Sequence, residues 1–136
     1  MLTTWLYASI CTLDRGDAPD AVRAIVEISR PRNASLGVTG ALIWTGDRFA
    51  QFLEGPHAAI DALRDSIARD PRHQTVQTLE ASQASARTFD GWSLAYSGTA
   101  SFVEREVKRI SDQAATGARA SARELKLLLI EFDQAR

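Results

Sequence analysis

VTGALIWTGDRFAQFLEG, residues 38–55, decides the fold. Two apolar runs, VTGALIW (38–44) and RFAQFLEG (48–55), carry β-branched and aromatic residues on either side of Thr45-Gly46-Asp47, the pattern of a β-hairpin. Side chains alternate along a strand, so Phe49, Gln51 and Leu53 share one face of the second run. A primary amide on a face that buries Phe49 and Leu53 needs partners for its donors and its acceptor. Leaving such groups unmade costs about 1–3 kcal/mol. Gln51 is therefore the first residue whose presence asks for a chemical reason.

Upstream of the hairpin, WLYASI (5–10) reads as a strand that ends before the turn-rich DRGDAPD (14–20). Asp17 and Pro19 mark a helix start, Val22, Ile25, Val26 and Ser29 follow at helical spacing, and Pro31 is expected to stop the helix. Asn33 then falls after the helix, just before the strand entry Leu36-Gly37-Val38. Downstream, Pro56 opens a second helix with Ile60, Leu63 and Ile67 on one face, closed by Asp70-Pro71. TVQTLEA (75–81) and WSLAY (92–96) are two further strands. The order predicts an α+β fold: a ferredoxin-like βαββαβ sandwich with an extra fifth strand, its first and third strands central neighbours. A C-terminal helical extension completes it. There Val103, Val107 and Ile110 form one stripe. After Gly117, Ser121 and Glu124 read as a capping box leading into Leu125, Leu128, Leu129 and Phe132. Residues 1–98 are thus expected to form the ligand-binding domain, and 99–136 an extension packing on the free sheet face, in oligomer contacts, or both. Leu127 and Ile130 fall off the main stripe, so a homo-oligomer is expected.

The totals narrow the chemistry. A chain of 136 residues is long enough for a proper core, and 45% hydrophobic with 24% charged residues is ordinary for a globular protein. A net charge of −1 offers nothing to nucleic acid or to an anionic membrane. Cys11 is the sole cysteine, and His57 and His73 lack metal-type spacing, so no intrachain disulfide and no metal site are expected. The opening MLTTWLYASICT is too short for a membrane span and lacks the basic residues of a signal peptide, so the expected location is the cytoplasm.

Tyr7, Asn33 and Gln51 remain as polar groups on elements that should be apolar. Taken singly, each has an ordinary reading: a packed phenol, a turn amide, a strand residue at an edge. Ser29 and Ser66 read as small residues that let two helices approach. Taken together, they furnish a cleft between two helices over a sheet with a phenol, two amides and few charges. That set suits a planar neutral heterocycle with hydrogen-bonding edges.

Tyr7 in WLYAS, Asn33 in RNASLGVTGAL, Gln51 in FAQFLEG, the DPRH of 70–73 and Trp92 in RTFDGWSL resemble, in order and in spacing apart from a slightly longer loop after the first strand, the BLUF domains, blue-light sensors that use flavin. The resemblance covers roughly residues 3–97, and the tail is similar to that of the short, stand-alone members. It implies that Gln51 bridges Tyr7 to flavin N5 and O4, and that Asn33, with Arg32 beside it, bonds the pyrimidine edge of the ring. It further implies that Ile25, Ser29, Ile67, Asp70 and His73 line or close the pocket, and that Trp92 and Leu94 relay the signal. Two positions depart from the pattern: Leu94 stands where many members have methionine, and Ser66 where a basic residue is common, a role open to Arg64 or Arg69. The function implied is a photoreceptor and not an enzyme. It would bind oxidised flavin without a covalent bond (FAD, with FMN or riboflavin as alternatives) and signal to a downstream protein partner. The alternative reading is a flavin-free interaction module of the same fold. An RNA-binding sheet built on Trp5, Tyr7 and Phe49 lacks a basic surround, and a hydrolase with its anion loop after the first strand meets three aspartates in SICTLDRGDAPD.

Overall fold

The structure, a computed structural model, describes residues 1–134, and the side chains of all of these except 115–118. The elements are β1 (Leu2–Cys11), α1 (Ala18–Ser35), β2 (Thr39–Trp44), β3 (Arg48–Gly55), α2 (His57–Ala68), β4 (His73–Ala84), β5 (Trp92–Ser97) and α3 (Ser101–Gln134). They build one five-stranded sheet in the order β4-β1-β3-β2-β5, antiparallel except for the β2–β5 pair. The expected hairpin is present, paired from Trp44↔Phe49 to Thr39↔Glu54, with Gly46 at φ +102° in its turn. Gly40 is required for a different reason: a Cβ there would stand 1.9 Å from the Phe52 carbonyl oxygen, so β2 can lie against β3 only without a side chain at that position.

β3 is buried from Phe49 to Gly55 because both faces of the sheet are covered. A strand buried on two sides reads as a nearly continuous apolar run, which is the appearance of FAQFLEG. On one face Trp5, Tyr7, Leu42, Phe49 and Leu53 pack under α1 and α2. On the other, Leu6, Ile43, Ala50 and Phe52 pack under α3.

Three local expectations are corrected. α1 does not stop at Pro31 but runs through it to Ser35. Proline removes one N–H, yet the last turn still closes: the Leu36 N–H bonds the Arg32 and Asn33 carbonyls, and the Val38 N–H reaches the Asn33 carbonyl at 2.9 Å. Asn33 therefore sits inside the helix, fully buried, rather than after it. Nor do Ser29 and Ser66 bring helices together. α1 rests on β2 and β5 while α2 rests on β1 and β3, and both serines line the cleft between the two helices.

The third correction concerns the tail. Glu124 gives its carboxylate to Arg109, at 2.7 Å, so it is not turned back onto Ser121 in a capping box. In a straight helix an offset of fifteen residues is about 22 Å, beyond the combined reach of the two side chains. The chain thus reverses between Arg109 and Glu124, and two helical halves lie side by side on the sheet. Val103, Val107 and Ile110 from the first half join Leu125 and Leu129 from the second in one core. Ile130 also packs against that core, contrary to expectation, whereas Leu127 remains 54% exposed.

Leu129 has no exposed surface, so Leu129→Ala is expected to destabilise the protein by about 2–5 kcal/mol. Leu127→Ala is expected to change stability by no more than about 0.5 kcal/mol. Urea unfolding of both variants checks this; equal effects would mean that the second helical half does not cover the sheet.

Candidate functional site: the cleft between the helices

The gap between the helices opens a cleft with the sheet as its floor. Tyr7 from β1 and Gln51 from β3 are directly paired across the ladder and project into it together. Gln51 Nε2 donates to the Tyr7 hydroxyl at 2.7 Å, and Trp92 Nε1 donates to Gln51 Oε1 at 2.9 Å. The indole N–H only donates, so the Gln51 atom facing it must be the oxygen. That fixes the amide: its NH2 points to Tyr7, and the phenol accepts. The phenol therefore accepts from the amide NH2 instead of donating to the amide oxygen, which Trp92 already occupies. The Tyr7 proton is left for another acceptor. Burial pushes the Tyr7 phenol well above its ordinary range; the Gln51 hydrogen bond opposes this weakly and the Asp70 carboxylate adds to it. Tyr7 is thus a protonated phenol at neutral pH. Trp5 stacks on it with ring centroids 4.5 Å apart, and the Arg64 guanidinium lies 4.9 Å over Trp5.

On the α1 wall, Ile25, Ser29 and Arg32 line the cleft. Arg32 Nε donates to Asn33 Oδ1 at 3.2 Å and its Nη2 to Ser29 Oγ at 3.4 Å. Burial holds the Arg32 guanidinium below its usual range. Asn33 Nδ2, in contrast, is buried without a partner. On the opposite wall stand Ile67, Asp70 and His73. Arg72 grips both Asp70 oxygens and also donates its backbone N–H to Oδ1 at 2.9 Å. This Arg72 hydrogen bonding holds the Asp70 carboxyl below the usual carboxylate range. His73 Nε2 lies 2.6 Å from the Ile67 carbonyl oxygen, which only accepts, so that nitrogen carries a proton. His73 Nδ1 lies 2.7 Å from the Ser9 hydroxyl, within hydrogen-bond distance.

Of the residues that the resemblance assigns to the switch, the relay and the pocket, all but two line this cleft, and neither Arg64 nor Arg69 does. Asn33 is wholly buried and accepts a hydrogen bond from Arg32. Leu94 shares the Trp92 face and packs against the same core but is not part of the lining. Arg64 is committed to Trp5, and the cations that do line the cleft are Arg32 and Arg72. Sequence reasoning missed Arg72, although the DPRH run places it two residues from the acid it clamps. It also missed Glu54, whose side chain is fully buried and accepts the Thr88 and Phe89 backbone N–H groups together with the Thr39 hydroxyl. That carboxylate fastens the loop leading to β5 and so sets Trp92 opposite Gln51; an acid ending an apolar strand was the available signal. A third omission is the Ser93 hydroxyl, which donates to Asp133 at 2.7 Å and ties β5 to the tail. Among the described residues no group of three or more metal-ligating side chains converges, and no helix is long and apolar enough to cross a membrane.

The geometry agrees with what the chain resembles. A family model described as sensors of blue light using FAD (BLUF) matches residues 2–95. The blue light- and temperature-regulated antirepressor BluF of Escherichia coli K12 is 38% identical over 90 residues, 65% of this chain and 22% of that protein. The photoactivated adenylate cyclase subunit beta of Euglena longa is 36% identical over 96 residues, 68% of this chain and 11% of that one. The chain thus spans less than a quarter of the length of these curated relatives. The dark-state structure of the BLUF protein BlrB superposes with a TM-score of 0.74 at 28% identity, over 96% of both chains. With the matched segment spanning β1 to β5 and the whole cleft within it, this chain belongs to the BLUF family of flavin-using blue-light sensors.

Proposed function

We propose that the cleft binds oxidised flavin without a covalent bond and that light acts on it through Tyr7 and Gln51, making the protein a photoreceptor and not an enzyme. The observation that carries this reading is the buried Tyr7–Gln51–Trp92 chain beside an unsatisfied Asn33 amide. A buried amide donor left unmade costs about 1–3 kcal/mol; Asn33 is not part of the cleft lining, so a ligand acceptor would recover that cost only with a shift of the α1 end that brings Nδ2 to the cleft. The isoalloxazine edge offers such acceptors, and Arg32 beside it adds a cation. Ile25, Ile67 and Leu42 supply apolar walls for a planar ring. FAD is the form proposed, with FMN and riboflavin as the alternatives.

When bound, the flavin supplies blue-light absorption and, once excited, a strong oxidant. Tyr7 is the group able to give an electron and then the proton that burial keeps on its phenol. Gln51 is the group able to change partners. Turning its amide over would aim Oε1 at Tyr7 and oppose the NH2 to the Trp92 indole N–H, two donors face to face. The Gln51–Trp92 bond therefore breaks if Gln51 reorients, and β5 registers the event. Leu94 on the same strand and Ser93, bonded to Asp133, carry it toward α3. Residues 1–98 form the sensing domain in this reading and 99–136 the output surface, which contacts a further copy of the chain and an unidentified protein partner in the cytoplasm. The exposed Phe102 and Leu127 on α3 are consistent with such contacts.

Three outcomes are expected. The purified protein is yellow and shifts reversibly to the red under blue light; a colourless protein that takes up no added flavin would refute the reading. Gln51→Leu and Tyr7→Phe keep flavin but lose the red shift, and a wild-type light-minus-dark spectrum from either would reassign the switch. Asn33→Ala weakens flavin binding about tenfold, measured by fluorescence titration, because one amide hydrogen bond to the ring is lost.

A further inference from the structure

Thr75 is, among the described residues, the only non-glycine residue in the left-handed region, with φ +53°. For a β-branched side chain that conformation is strained. The side chain is exposed, so its contacts do not explain the backbone. The register does. Ala8 pairs with Gln77 and Ile10 with Gln74, so Thr75 and Val76 together face the single residue Ser9. This is a β-bulge, and it lies two residues from His73.

The bulge decides which face His73 occupies. Val76 packs in the core on the cleft side of the sheet. Strict alternation from Val76 would put Gln74 on that side and turn His73 away. The extra residue restores the parity. The His73 ring then stands edge-on to Tyr7 and Phe49, at 6.0 and 5.9 Å, held by Ser9 and the Ile67 carbonyl. We propose that Thr75 is a positioning residue for the cleft: its left-handed backbone absorbs one residue of β4 and thereby turns the His73 ring into the wall beside Tyr7. The consequence for ligand binding rests on the reading of the cleft as a flavin site; the placement of His73 does not.

The test uses the full chain, with thermal melts, the nitrogen-bound ring proton of His73 followed by NMR, and flavin titration. Asparagine tolerates the left-handed conformation, so Thr75→Asn keeps the bulge, raises Tm by roughly 2–5 °C and preserves the exchange-protected His73 Nε2 proton. Its flavin affinity stays within about twofold of wild type. Proline holds φ near −65° and excludes the left-handed backbone that Thr75 adopts in this bulge. Thr75→Pro therefore loses the protected His73 proton and binds flavin at least about tenfold more weakly. A lowered Tm for Thr75→Asn, or a Thr75→Pro protein that keeps the protected proton, would overturn the proposal. If the wild-type protein took up no flavin, the reading of the cleft would fail while the melting and NMR results still decided the role of Thr75.

Discussion

A primary amide buried in the middle of the central strand is the constraint around which the cleft is arranged. Gln51 can be tolerated there only if its oxygen and its NH2 both find partners, because burial removes most of their contact with water. Its neighbours on the sheet supply one of each kind. Tyr7 comes from β1, which pairs directly with β3, and Trp92 from β5, two strands away on the other side. The indole can only donate and the phenol is free to accept, so the amide is held in one orientation without ambiguity. That same arrangement makes the orientation informative, since reversing it leaves two donors opposed.

Holding Trp92 in place is then a structural task of its own, and a second buried polar group performs it. Glu54 ends β3 on the opposite face from Gln51 and binds two backbone N–H groups of the loop before β5. Arg87 from that loop adds bonds to Thr39 and to the Gly37 carbonyl. The loop, the start of β2 and the end of β3 are thereby locked together. β5 enters parallel to β2 with Trp92 at the level of Gly40. One acid at the end of an apolar strand thus acts on the cleft from the far side of the sheet.

The two faces of the sheet are used differently. Under α1 and α2 the covering is incomplete, because the helices rest on different strands and leave space between them. Under α3 the covering is continuous: two helical halves, joined across Arg109 and Glu124, bury Phe52, Ile43 and Leu6. Lys126 lies 5.0 Å over the Phe52 ring and pairs with Glu80 on β4, while Asp133 accepts from Ser93 on β5. Both edge strands therefore touch the tail, and the strands between them carry the polar chain of the cleft.

The hairpin, the order of elements and the identity of Tyr7, Asn33, Gln51 and Trp92 were legible in the sequence. Alternation and helical spacing are local properties of a chain, and a polar residue on an apolar face declares itself. The end of α1 was not legible: a proline predicts a stop, and only the bonds closing the last turn onto Asn33 carry the helix past it. The direction of the Tyr7–Gln51 bond was hidden as well, because it depends on Trp92, 41 residues away along the chain. The reversal within α3 and the bulge at Thr75 belong to the same class. In each case the deciding partner is distant in sequence, and a hydrogen bond or a strand register selects among conformations that local preference leaves nearly equal or even disfavours. Local patterning thus determined which surfaces are buried and marked Tyr7 and Gln51 as polar groups on them, while the rest of the cleft lining was implied by the family resemblance. Tertiary packing alone decided how those residues are oriented, since orientation is set by partners the chain meets only after it has folded.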